Sequence, residues 1–209
     1  MQQHRPGYPM GGYWSQFPLR NADGTPQLNA ANALLLDTAS FIGQSAPAHE
    51  VGFANTFTLF RYLRVYGLFD WKAGFWLFNL KERNRCQTAN DNCEVVNDPR
   101  ARFPKTAADT VLAKELAVWR GGITPYIEPA DFLKLREVSV TLNAPTSWAT
   151  RVGAQAASLI VSGRNLALWS DYTGLDPEVN SYGGRNFVRA DAYAAPMMRR
   201  LSAGINLTF

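Results

Sequence analysis

The chain has 209 residues, with 46% apolar, 12% aromatic and 18% charged residues and a net charge of +4. The charged share falls below the roughly 25% of an ordinary soluble domain, and no apolar run approaches the ~18 residues that a membrane-spanning helix needs, so any membrane contact must be made by strands or a surface helix. The basic residues are scattered, apart from Lys81, Arg83 and Arg85 and the Arg199, Arg200 pair, which is not the clustered footprint of a nucleic-acid-binding protein.

In chain order, no charged segment followed by an apolar one opens the sequence, so no signal peptide is read there. Residues 7–17, rich in Tyr8, Tyr13 and Trp14, form the first predicted strand, and a long connection over 18–50 follows, with a turn over 21–24. From 51 to 59, Val51, Phe53, Phe57 and Leu59 point one way, with Asn55 the exception, and Gly52, Ala54, Thr56 and Thr58 point the other. Phe60, Arg61 and Tyr62 make a tight connection. From 63 to 71, Leu63, Val65, Phe69 and Trp71 alternate with Arg64, Tyr66 and Asp70; Gly67 falls on the apolar face and Leu68 on the polar one. A second long connection covers 73–130. It carries a predicted helix over 107–119, because Thr106 and Asp109 have capping-box spacing and Val111, Leu112, Leu116 and Trp119 follow at helical spacing. Gly121 and Gly122 stop that helix.

Cys86 and Cys93 lie in the same connection, in a polar stretch. They read as a short disulfide loop, implying an oxidising compartment, as free thiols, or as half of a metal site that needs two more ligands. The disulfide fits best, since His4 and His49 are distant in sequence. Further on, Val138, Val140 and Leu142 alternate with Ser139 and Thr141, while Leu133 and Leu135 have the opposite parity. That shift marks a bulge near Arg136 and Glu137, or the strand rising out of a membrane. A moderate connection over 144–154 leads to a strand over 158–168, where Leu159 and Val161 set a phase that slips through Gly163 to Leu166 and Leu168. After a third long connection over 170–196, the last nine residues alternate most cleanly: Leu201, Ala203, Ile205, Leu207 and Phe209 against Ser202, Gly204, Asn206 and Thr208.

Strands of about ten residues, joined alternately by short and long connections, are the pattern of an outer-membrane barrel. The expected fold is all-β: a partial antiparallel transmembrane β-barrel of about six strands, in one domain over 1–209, with long extracellular loops and a short loop helix. Gly204, Leu207 and Phe209 match the terminal signal read by the barrel-assembly machinery, a form of strand addition. Three motifs then carry a resemblance. Phe132, Lys134, Leu135, Arg136, Val138 and Ser139 resemble an "F-x-K-L-R-x-V-S-L" strand. Gly163, Asn165, Leu166, Asp171, Tyr172, Gly174, Asp176, Pro177, Glu178, Val179 and Asn180 resemble a "G-x-N-L-x-x-x-x-D-Y-x-G-x-D-P-E-V-N" segment. Phe53, Asn55, Thr56, Phe57 and Thr58 resemble "F-S-N-T-F-T". All three are found in SusC/RagA-type TonB-dependent receptors, and the likeness covers nearly the whole chain.

The resemblance implies an outer-membrane importer of glycans or, in some members, peptides, with a barrel of about 22 strands and a plugged lumen. It also implies a SusD-like surface lipoprotein as lid, outer-membrane lipid around the wall, and TonB contact through an N-terminal part. Neither plug nor TonB segment is read here, so the chain is expected to be a C-terminal portion that does not transport alone. No nucleophile elbow, phosphate loop, dinucleotide fingerprint or metal-ligand set is present, so no enzyme activity and no cofactor is expected. Asp171, Asp176 and Glu178 read as a solvated turn or as oxygen ligands for Ca²⁺. The aromatic group Trp71, Phe75, Trp76 and Phe78 reads as an interfacial girdle or a sugar-stacking surface, with Asp171, Tyr172 and Tyr182 as further loop contacts. The alternative is a carbohydrate-binding β-sandwich or surface adhesin, which would bury its apolar faces in a core.

Overall fold

The computed structural model describes residues 1–87, 92–183 and 188–209. Residues 88–91, the polar stretch between the two cysteines, and 184–187 in the last long connection lie outside the described residues. The strands are β1 (Gln2–Gln3), β2 (Gly12–Pro18), β3 (Leu36–Gly43), β4 (His49–Leu59), β5 (Leu63–Ala73), β6 (Trp76–Asn79), β7 (Ile127–Pro129), β8 (Phe132–Asn143), β9 (Ala156–Ser170), β10 (Ala190–Asp191) and β11 (Arg200–Thr208). The helices are α1 (Leu80–Gln87), α2 (Glu94–Asn97), α3 (Pro99–Arg102), α4 (Ala107–Gly121) and α5 (Thr146–Ala149). The chain divides into two compact units, one of Met1–Pro47, Gly74–Ala130 and Tyr172–Ala195, the other of Ala48–Ala73, Asp131–Asp171 and Pro196–Phe209.

The second unit is one antiparallel sheet in the order β11-β9-β8-β5-β4. Its short connections, 60–62 and 144–155, sit at one end of the strands. The long connections leave from the opposite end, as the alternation of loop lengths predicts. Beyond Leu59, the turn backbone is held by Tyr62 N–H donating to Leu59 O at 3.3 Å, and Tyr62 O in turn accepts from Asn143 N–H at 2.8 Å. The predicted bulge is present. Phe69 faces Leu135 and Leu68 faces Glu137, leaving Arg136 as the extra residue. This reconciles the opposite parities of Leu135 and Val138, since one inserted residue restores a common face.

Three expectations are corrected. The large sheet holds five strands rather than six, because the strand over Gly12–Pro18 pairs with β1 and β3 in a separate three-stranded sheet. Gly12, Tyr13, Trp14 and Ser15 are all buried in succession, so both faces of that strand are covered and it lacks the one-sided alternation of the others. The long connections, expected as loops with one helix, instead fold together around a core of Tyr13, Phe78, Val96, Leu116, Tyr126 and Ile127. Finally, the apolar phase of β9 continues through Ala167 and Trp169, opposite Leu135 and Leu133, while Leu168 faces Lys134.

In this first unit α4 starts and stops where local chemistry dictates. Thr106 Oγ1 accepts from Asp109 N–H at 3.1 Å, and Asp109 Oδ2 accepts from Thr106 N–H at 2.9 Å. At the other end Gly122 N–H donates to Val118 O at 2.8 Å. Tyr126 lies edge-on to Trp119 and donates its hydroxyl to Trp119 O at 2.5 Å. Tyr13 donates to Arg189 O and accepts from Phe78 N–H. Burial pushes both phenols above their ordinary pKa, so both remain neutral hydrogen-bonding groups.

Candidate functional site

The five-stranded sheet is the feature that chemistry can be read from, because its two faces differ throughout. Cross-strand partners share a face. One row runs Leu59, Leu63, Leu142, Leu159, Ile205. The next runs Phe57, Val65, Val140, Val161, Ala203, then Asn55, Gly67, Val138, Gly163, Leu201. Beyond the bulge come Phe53, Phe69, Leu135, Ala167 and then Val51, Trp71, Leu133, Trp169. Leu166 folds over this face, since a Cβ on Gly163 would stand 2.7 Å from its Cδ2. These apolar rows are not sealed in a core: Phe53 is 59%, Phe57 57%, Val161 48% and Ile205 71% exposed.

The opposite face is polar and internally paired. Thr56, Tyr66, Ser139, Ser162 and Ser202 form one row, and the last two share a hydrogen bond at 2.8 Å. Arg136, the bulged residue, reaches Asp70 with its Nε at 3.0 Å. Arg164 pairs with Glu137 at 3.1 Å and Lys72 with Glu50 at 3.1 Å. A face of alternating charges suits water or a polar filling, and the apolar rows behind it suit neither.

Large side chains mark both ends of the apolar face. Trp71 and Trp169 share its uppermost row and are both exposed. At the short-turn end stand Phe60, 87% exposed, with Tyr62 and Trp148. Trp169, Phe60 and Trp148 had no part in the predicted aromatic group. Trp169 shares the odd parity of Leu159 and Val161, so its face was recoverable from the sequence; the turn residues gave no periodic signal.

The other predicted contacts are dispersed. Phe75 and Phe78 are core residues, and Trp76 is half-buried over Gly43, where a Cβ would meet its ring at 2.0 Å. Tyr172 is buried and donates to Asp191 Oδ2 at 3.2 Å, with burial first and the Asp191 carboxylate second in raising its pKa; it is a structural phenol, not a surface contact. Tyr182 and Asp171 are exposed. Tyr182 lines a cleft of about 320 Å³ with Tyr13, Leu80 and Arg83. Asp176 is buried and its Oδ1 accepts from Glu178 N–H at 2.9 Å, closing a turn. Cys86 and Cys93 are joined as a disulfide with Cα atoms 5.1 Å apart. Among the described residues they and Glu82 are the group that gathers three metal-type donors, and bonded sulfurs do not ligate a metal as thiolates. Gly204 and Leu207 lie on β11, an edge strand, with Phe209 just beyond it.

These features define a class: an all-β chain whose main sheet is apolar and exposed on one face, polar and ion-paired on the other. No family model matches the chain. Over 197 residues, 87% of its length, it is 27% identical to TonB-dependent receptor P26 of Formosa agariphila, and over 126 residues, 58% of its length, 27% identical to TonB-dependent receptor P3 of the same organism. It covers 19% and 12% of these relatives, so the chain spans about a fifth or less of their length. Among solved structures, the RagAB peptide importer in its closed-closed state matches all of the chain with a TM-score of 0.68 at 20% identity. The open-open state matches 97% with 0.69 at 21%; the chain covers 25% and 23% of those chains. The resemblance read from the three motifs is thus carried by sequence relatives and by fold: the chain is similar to SusC/RagA-type TonB-dependent receptors over most of its length.

Proposed function

We propose that this chain is the C-terminal part of the barrel wall of a TonB-dependent outer-membrane nutrient importer, and that it is a transport component rather than an enzyme. The observation that carries the reading is the continuous, exposed apolar face backed by a paired polar face on the same five strands. β5 has 11 residues, about 37 Å at ~3.4 Å per residue, or about 28 Å along the membrane normal at the ~40° tilt of barrel strands, close to the ~25 Å apolar band such barrels present. Trp71 and Trp169 would stand at one interface and Phe60, Tyr62 and Trp148 at the other. The sandwich alternative needs those rows covered by a second sheet, and the exposure of Phe53, Phe57 and Ile205 speaks against it.

The solved neighbours are described as a peptide importer, and peptides or glycans are the cargo classes that go with this reading. A SusD-like lipoprotein, the barrel-assembly machinery and TonB are its partners, the last through another part of the receptor. Gly204, Leu207 and Phe209, on and beside the edge strand β11, are the proposed assembly signal. Spin labels at Val140 and at Thr141 in the reconstituted receptor test the wall directly. Val140 should be accessible to oxygen and shielded from a water-soluble relaxation agent, and Thr141 the reverse. Equal accessibility of the two positions would refute the lipid-facing wall.

A further inference from the structure

We propose that the short-turn end of the five-stranded sheet is a binding surface for the phosphodiester headgroups of anionic phospholipid, with Arg61 and Arg151 as its cations. The inference rests on the barrel-wall reading and goes beyond it by naming the chemistry that this end recognises.

Charge within the sheet unit is polarised along the strands. The acidic side chains, Glu50, Asp70, Asp131, Glu137 and Asp171, all lie at the bulge row or nearer the long connections. From that row to the short turns there is no acidic side chain, while Arg61, Arg64 and Arg151 are all there. Arg64 belongs to the polar face, opposite Thr58 and Thr141. Arg61 and Arg151 instead sit in the two turns, exposed and without a hydrogen-bond or ion-pair partner among the described residues.

The two turns are neighbours, tied by Asn143 N–H donating to Tyr62 O. The first is built against backbone preference: Phe60 and Arg61 both have positive φ, +52° and +64°. That conformation favours Asn-Gly, and bulky side chains adopt it at a cost. A turn that keeps Phe and Arg there projects an aromatic ring and a guanidinium past the last apolar row. Trp148 and Val152, 60% and 62% exposed, flank Arg151 in the same manner. Exposed rings beside unpaired arginines, at the edge of an apolar face, match a layer where acyl chain gives way to phosphate. A guanidinium fork also matches a phosphate's oxygens geometrically.

The test uses the intact receptor carrying a fluorophore on Val152→Cys, in phosphatidylcholine vesicles doped with equal amounts of spin-labelled phosphatidylglycerol or spin-labelled phosphatidylcholine. The anionic probe should quench more strongly. The Arg61→Gln, Arg151→Gln double variant should remove the preference, by about fivefold in relative lipid affinity for each arginine, and the Arg61→Lys, Arg151→Lys variant should keep most of it. Equal quenching by both probes in the unsubstituted arginine background, or a preference untouched by the Gln pair, overturns headgroup recognition while leaving the barrel wall intact. No quenching by either probe overturns both.

Discussion

Thr106 and Asp109 show how far a single residue's role can be read ahead of the fold. Their reciprocal hydrogen bonds span three positions, so the cap was legible in the sequence. Thr106→Ala is expected to destabilise α4 by about 1 kcal/mol, measured as faster amide exchange over its first turn. The backbone N–H of Lys105, then the bonds to Thr106, hold the Asp109 carboxyl below its usual range. A depressed folded pKa means that the contribution is complete above the unfolded pKa and is lost as pH falls through the folded one. Protection of the first turn of α4 should therefore weaken on acidification into the carboxylate range, and Asp109→Asn should flatten that dependence. Tyr13 is the opposite case. Its hydroxyl meets Arg189 O across 176 positions, a distance at which no local pattern signals a partner. Tyr13→Phe should cost about 1–3 kcal/mol, because Phe78 N–H and Arg189 O lose their buried partner, and a lowered urea midpoint would register it.

At the level of the strand, register decides everything, because a shift of one residue carries every side chain to the other face. Arg136 is both the inserted residue and the partner of Asp70. Deleting it should close the bulge and leave Leu133 and Leu135 in plain alternation with Val138, Val140 and Leu142, so folded, heat-modifiable receptor should persist although Asp70 loses its partner; deleting Ser139, in the regular stretch, should carry Val140 and Leu142 to the polar face, and folded receptor should fall sharply. Val140→Arg, in the middle of an apolar row, should destabilise the barrel in lipid by about 2–4 kcal/mol, whereas Thr141→Arg on the polar face should be near neutral. Comparable losses at both positions, measured by refolding into vesicles, would contradict a one-sided lipid contact. The parity shift at Leu135 was visible in the sequence, and the odd parity of Ala167 and Trp169 also carried their face, but two larger neighbours masked it. Leu166 and Leu168 are the larger apolar side chains, and the irregularity opposite Arg136 hides which of them shares the face of Leu159.

At the scale of the molecule, β4 and β11 each have one edge unpaired among the described residues, and unsatisfied backbone groups are costly in hydrocarbon. These 209 residues reconstituted by themselves should therefore give no defined, substrate-sensitive conductance in planar bilayers. Sequence alone determined the alternating strands, the sidedness of long and short connections, the parity shift near Arg136 and the α4 cap. Each is set by interactions within a few residues or by a period-two pattern. Only the tertiary structure decided that the strand over Gly12–Pro18 leaves the main sheet, that Phe75, Phe78 and Tyr172 are buried rather than displayed, and that the three long connections share one core. Those outcomes depend on which segments meet after being separated by tens of residues. Hydrophobic burial is non-directional, so an aromatic residue in a connection carries no mark of whether its neighbour will be lipid, ligand or another part of the chain.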